Sequence, residues 1–222
     1  MCASSADCVS GDTCTSGVCS VATCSATNAL IDDFEDANNV VSLLEGRTGA
    51  LYTYVDTTGS TISPGAGSTF IPALGGNAGS ARAAHFSGHL SSASTVWGGF
   101  GADFLSPKAV YNASKYTGIT FWAKKGSSTA NSGVRVKVPD RNTDAVGGIC
   151  TSCSNDFGTD LTLSTTWTKF TIPFSSMTQQ AGWGAPRPAH IDATGVVAVQ
   201  FQVTTPGINY DTWIDDLSFV CN

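Results

Sequence analysis

Six carboxylates gather at the two ends of the chain's apolar patterning. Leu30-Ile31-Asp32-Asp33-Phe34-Glu35-Asp36 opens it, and Thr212-Trp213-Ile214-Asp215-Asp216-Leu217-Ser218-Phe219-Val220 closes it. Both read as β-strands that carry acids inside an apolar run, which suggests that the first and last strands lie side by side. Carboxylates brought to one sheet edge repel each other, and a bound hard cation, calcium above all, would cancel that repulsion.

Catalysis asks for more than this. Glycoside hydrolysis needs paired carboxylates held across a cleft, whereas the acids here cluster at the chain ends, and Glu35 and Glu45 are the only glutamates. Of the three histidines, His85, His89 and His190, none has a nucleophile setting, and there is no GxSxG. His85 and His89 have the HxxxH spacing that pairs metal ligands on a helix, but no helix is predicted there, and Gly88 interrupts an extended strand. The reading is therefore non-enzymatic.

A second constellation comes from strand alternation. In Val134-Arg135-Val136-Lys137-Val138 the valines point one way, and Arg135 and Lys137 the other. Val199-Gln200-Phe201-Gln202-Val203 isolates Gln200 and Gln202 in the same manner. Ile119-Thr120-Phe121-Trp122-Ala123-Lys124 turns Trp122 away from its apolar side, and Ala84/Phe86 inward leaves His85 outward. If these strands share a sheet, its outer face combines a tryptophan with long hydrogen-bonding side chains. That set suits a sugar: an aromatic plate for the ring and planar donors and acceptors for its hydroxyls. The same pattern also describes an ordinary solvated sheet face. Trp183, in Gln179-Gln180-Ala181-Gly182-Trp183-Gly184, is a second stacking candidate in a loop. Trp97, in a glycine-rich stretch, fits a platform or a bulged core strand equally, and Trp167 and Trp213 read as core caps.

Composition sets the frame for these residues. The chain has 222 residues, 24 glycines, only 13% charged residues and no long helical pattern. About nine strands with turn signals between them span residues 25–222, the pattern of an antiparallel β-sandwich. They are Leu30–Phe34, Leu51–Val55, Ala81–Phe86, Trp97–Phe104, Gly118–Lys124, Val134–Val138, Thr166–Pro173, Val196–Val203 and Thr212–Val220, with Gly59–Gly79 mostly loop. A net charge of −6 argues against nucleic acid and against an electrostatic grip on anionic membranes. No apolar run of about 18 residues predicts a transmembrane segment. Neutral polysaccharides stay open as partners.

The eight cysteines imply an oxidising compartment. Met1 precedes Cys2 directly, so a secreted or extracellular-surface protein whose leader has been removed or replaced is expected. Residues 1–24 form a separate unit. Cys2, Cys8, Cys14 and Cys19 sit among polar residues with no core to fold on, so disulfides must staple it. Of three connectivities, the interleaved Cys2–Cys14 and Cys8–Cys19 is favoured because it closes two overlapping loops. A zinc site lacks its tight paired spacing. Cys24 precedes the first sandwich strand and Cys221 ends the last. If those strands are neighbours, a Cys24–Cys221 bridge follows, worth ~3–5 kcal/mol by chain entropy. Cys150 and Cys153 lie in a Gly/Ser/Asn loop with no helix behind them to activate a thiol, which favours a loop-stiffening disulfide over redox chemistry.

Leu30–Asp36, Trp97–Phe104, Tyr116–Lys124 and Trp213–Phe219 together resemble carbohydrate-binding modules of the jelly-roll, galactose-binding-like type, over most of residues 28–221. The N-terminal unit resembles the short four-cysteine repeats found beside secreted bacterial domains. The first resemblance implies a jelly-roll sandwich, glycan binding on a concave sheet or at end loops, and a structural calcium where the first and last strands meet. Matched residue by residue, it puts Asp33 and Glu35 on the first strand and Asp215 on the last as metal ligands. Asp215 is expected to share the core-facing parity of Leu217 and Phe219, with Asp216 facing the other way. The leading reading is a secreted, non-catalytic binder of a neutral glycan, with Trp122 stacking on a sugar and Arg135, Lys137, Gln200, Gln202, His85 and Trp183 around it. The runner-up is an adhesive surface protein that self-associates into a layer or filament.

Overall fold

The computed structural model describes residues 2–4, 7–8, 12–21 and 24–221. Met1, on which the reading of a removed leader rests, lies outside the described residues. The N-terminal unit is a hairpin of β1 (Asp12–Thr15) and β2 (Val18–Val21). Its Gly17 has φ +78°, the left-handed conformation a tight turn requires. Disulfides pair Cys2 with Cys14 and Cys8 with Cys19, the interleaved arrangement.

Twelve strands follow. They are β3 (Leu30–Asp32), β4 (Leu51–Val55), β5 (Thr61–Ser63), β6 (Ala73–Leu74), β7 (Arg82–His89), β8 (Gly98–Asp103), β9 (Tyr116–Lys125), β10 (Gly133–Val138), β11 (Phe157–Thr162), β12 (Thr168–Pro173), β13 (Ala198–Val203) and β14 (Asn209–Cys221). They form two antiparallel sheets, the β-sandwich that composition and turn spacing predict. One sheet runs β11-β10-β13-β8-β4. The other runs β12-β9-β14-β7-β5, with β3 joined to β14 and β6 to β7. The first and last sandwich strands are indeed neighbours, Asp32 opposite Leu217 and Leu30 opposite Ser218. Cys24 is bonded to Cys221 beside that seam.

Alternation fills the space between the sheets. Phe100, Phe201 and Val136 point inward from the first sheet, and Phe86, Phe121 and Ile214 from the second, all fully buried. Phe121 meets Phe201 edge-on at 4.9 Å, and Phe86 lies 6.1 Å from Phe100, so aromatic contacts cross the interface directly. Phe100 also meets the fully buried rings of Phe34, at 6.1 Å, and Phe70, at 4.8 Å.

Three expectations need correction. β11 went unread because Phe157-Gly-Thr-Asp-Leu-Thr alternates weakly; it is an edge strand that buries only its first two residues. The stretch 59–79 contains the short strands β5 and β6, which hydrogen-bond to β7 despite their glycine-rich setting. The parity argument for Asp215 fails because β14 carries a bulge between Asp215 and Ser218, with Asp216 at φ +49°. The extra residue reverses the alternation. Ile214 and Leu217 both point into the core, and Asp215 shares the outer side with its cross-strand partner Trp122. Asp215 is nevertheless fully buried, because residues 75–81 fold over it and Asn77 donates its N–H to Oδ2 at 2.7 Å.

Phe100 packs against four aromatic rings, those of Phe34, Phe70, Phe86 and Phe201. Phe100→Ala should cost about 3–5 kcal/mol of unfolding free energy, read from the midpoint of a denaturant titration. A loss below about 1 kcal/mol would mean that this site is not the packing centre described.

Candidate functional site

The outer face of the five-stranded sheet carries a ladder of matched side chains. Register places Lys137, Gln200, Gly101 and Tyr52 in one row across β10, β13, β8 and β4. The next row is Arg135, Gln202, Gly99 and Tyr54. The glycines decide the shape. A Cβ at Gly101 would lie 2.4 Å from the Tyr52 ring, and one at Gly99 2.7 Å from the Tyr54 oxygen. The two tyrosine rings therefore lie over β8 where side chains would otherwise stand. Gln200 Nε2 donates to the Tyr52 oxygen at 2.9 Å. Loops raise the walls: Trp97, 40% exposed, on one, and Trp183, 44% exposed, on another. The resulting groove encloses about 760 Å³.

Cations in the groove are matched by acids. Lys137 Nζ lies 2.9 Å from Asp156, both nearly fully buried. Arg135 bonds Asp160 at 3.0 Å and donates to the Thr178 carbonyl, and Lys108 pairs with Asp144 at 2.7 Å. The unused polar capacity is small and local. Asp156 Oδ1 and the Tyr54 hydroxyl are buried without a hydrogen-bond partner among the described residues. Burial, with Asp156 and then Tyr210 adding, holds the Tyr54 phenol well above its usual range, so it remains a donor.

The groove holds Arg135, Lys137, Gln200, Gln202 and Trp183 from the sequence reading. It does not hold Trp122 or His85. Trp122 stands on β9 in the other sheet, between Lys169 and Asp215. His85 stands on β7, stacked 3.9 Å from Trp213 and 3.0 Å from Asp211. Alternation tells which side of a strand a residue takes, not which sheet the strand joins, and the chain changes sheets between β9 and β10. Trp167 and Trp213 are half-buried on that same outer face, with Lys124 Nζ 4.7 and 5.1 Å from their rings. The residues missed were Tyr52, Tyr54 and Asp156. The first two had a signal: tyrosines alternating against Leu51, Thr53 and Val55, and glycines spaced by two in Gly99-Phe100-Gly101.

At the seam, strand β3 ends at Asp32, so Asp33 and Glu35 lie beyond it rather than on it. Glu35 accepts the N–H groups of Ala81 and Arg82 at 3.1 and 2.8 Å. Asp215 accepts those of Asn77 and Asp216. Burial, with Asp216 and Glu35 adding charge repulsion, carries Asp215 up to about 6 against its backbone hydrogen bonds. Asp32, buried, has one oxygen without a partner, and burial followed by Asp36 and Asp33 carries it up to about 7. The donor chemistry suits a hard cation. The arrangement is wider than one ion requires, since Asp33, Glu35 and Asp215 do not bring an oxygen each within 4.8 Å of one another. Cys2, Cys8 and Cys19 do meet that spacing, but their sulfurs are in disulfides.

No protein-family model and no curated protein sequence matches the chain. Solved structures do. The family 11 carbohydrate-binding module from Clostridium thermocellum, in complex with a β-1,3-1,4-mixed-linked tetrasaccharide, is 16% identical with a TM-score of 0.60, over 87% of this chain and 95% of that one. The family 11 module of the cellulosomal cellulase Lic26A-Cel5E of the same organism is 15% identical, TM-score 0.59, over 87% and 94%. The family 30 module of its cellulosomal cellulase Cel9D-Cel44B is 13% identical, TM-score 0.53, over 86% and 97%. The chain shares their β-sandwich fold.

Asp56 positions the Trp97 wall. Its backbone N–H donates to the Trp97 carbonyl, and its carboxylate accepts from Trp97 N–H, from Thr58 N–H and hydroxyl, and from Ser60. Burial pushes its carboxyl up, but these bonds outweigh it and bring it down to about 2 from 3.8. A folded-state value below the unfolded one stabilises above the unfolded value and is lost as pH falls through the folded one. Asp56→Asn should therefore melt below wild type at pH 7, and the gap should close between about pH 4 and pH 2. Melting curves across that range check it; a gap independent of pH would contradict this account of Asp56.

Proposed function

We propose that the chain is a non-catalytic binding module for a neutral glycan, held along the groove of the five-stranded sheet. The observation that carries this reading is the double row Lys137-Gln200-Gly101-Tyr52 and Arg135-Gln202-Gly99-Tyr54, flanked by Trp97 and Trp183. Tyrosine and tryptophan rings supply apolar plates for sugar faces, while Gln200, Gln202 and Arg135 supply hydrogen bonds. With each groove cation described above already paired with an acid, a charged ligand gains little, which favours neutral sugars over uronates. The fold shared with a module solved in complex with a β-1,3-1,4-mixed-linked tetrasaccharide supports the reading and suggests the first linkage to try. Four disulfides support an extracellular setting.

Calcium belongs to the proposal as a clamp at the seam, drawing in Asp33, Glu35 and Asp215 with Asp32 as a further oxygen donor. It would act on stability rather than on the ligand, since the seam is built on the other sheet.

Isothermal titration and affinity electrophoresis against soluble β-1,3-1,4-glucan, hydroxyethylcellulose, xylan, galactomannan and polygalacturonate test the glycan reading. Binding to a neutral polymer is expected, weakened about tenfold or more by Trp183→Ala or Tyr54→Ala and unchanged by Trp122→Ala. No binding to any neutral polymer would reject it. Chelation should lower the melting temperature while leaving the dissociation constant within about twofold; a melting temperature unmoved by added calcium or by chelator would remove the ion from the proposal.

A further inference from the structure

Trp183 is the most exposed aromatic of the groove and stands on neither sheet. A tryptophan on an irregular segment makes a useful plate only if something fixes the segment. The structure provides a fixture on both sides of it. Before Trp183, the buried Asn155 side chain takes the N–H of Gln180 on Oδ1 at 2.9 Å, and its Nδ2 donates to the carbonyls of Gln180 at 2.9 Å and Trp183 at 2.5 Å. Gln179 Nε2 donates to the Asn155 carbonyl at 2.7 Å. After Trp183, Ala185 pairs with Ser152 in both directions, at 3.0 and 3.2 Å, and also accepts from Thr151 N–H. Thr151 and Ser152 are the two residues enclosed by the Cys150–Cys153 disulfide. Gly184 lies between the two grips at φ +88°, so close to Asn155 that a Cβ would come within 2.7 Å of it.

We propose that Asn155 and the Cys150–Cys153 ring form a clamp that positions Trp183 for the ligand. The inference rests on the glycan reading for what Trp183 contacts, but not for the clamp itself. Asn155 is a positioning residue. Its polar groups are spent on the 179–183 segment, and its neighbour Asp156 faces Lys137 in the groove. The tight ring is used here for geometry, restricting the two N–H groups that Ala185 needs. A CxxC pair without a following helix thus acquires a purpose.

Asn155→Leu is the decisive variant, since it keeps the approximate volume while removing both the Oδ1 that accepts Gln180 N–H and the Nδ2 that donates to the two carbonyls. Cys150→Ser/Cys153→Ser is the second, leaving Asn155 and the other three disulfides in place. Hydrogen exchange at the Gln180 and Ala185 amides reads the clamp without any ligand. Exchange should speed up at Gln180 in Asn155→Leu and at Ala185 in the double serine variant, with cooperative melting retained in both. Affinity for soluble β-1,3-1,4-glucan and hydroxyethylcellulose should fall about three- to tenfold. Asn155→Leu/Trp183→Ala should bind no more weakly than Trp183→Ala alone. Wild-type exchange rates in both variants, or losses that add in the combined variant, would overturn the clamp. If wild type binds none of the neutral polymers, the glycan reading is what fails, and the exchange rates alone decide the clamp.

Discussion

Two apolar sheet faces pressed together through Phe86, Phe100, Phe121 and Phe201 set the terms for the rest of the molecule. A strand shows its side chains to alternate faces, so each residue committed to that contact sends its neighbours outward in register with the neighbours of the next strand. The ladder of Arg135, Gln202, Gly99 and Tyr54 follows from Val134, Val136, Phe201 and Phe100 being inside. Burial fixes the register, and the register aligns the groove. A one-residue slip would exchange the two faces and lose both.

What loops then add is shape and polarity. The walls bearing Trp97 and Trp183 are each held by one buried polar side chain, Asp56 and Asn155, that collects several bonds from its own wall. A carboxylate suits the first, where N–H and O–H groups converge. An amide suits the second, where two carbonyls and an N–H meet it. The residue types follow from the donors and acceptors presented by the backbone, as expected where irregular segments are packed beside a core.

Much of the fold was legible in the chain. The alternation in Val134–Val138 and Val199–Val203 gave both strands and their outward residues. Acids in the terminal strands pointed to their adjacency. Sheet membership was not legible, because Trp122 and Arg135 obey the same period-two rule whichever sheet receives them. Nor was the bulge at Asp216, which depends on one left-handed residue and reverses the parity assigned to Asp215. Tyr52 and Tyr54 illustrate a third kind of omission. Their importance arises from the missing side chains of Gly99 and Gly101 on a neighbouring strand, and only the register between β4 and β8 connects them.

The bond between Cys24 and Cys221 closes 197 residues of sequence across a Cα separation of 5.5 Å. Tension entering the chain at one of these residues and leaving at the other passes through a covalent bridge. The sheets lie in parallel with that bridge and bear almost none of the load. The sandwich can thus be tethered at both ends without its hydrogen-bond ladders being put in shear.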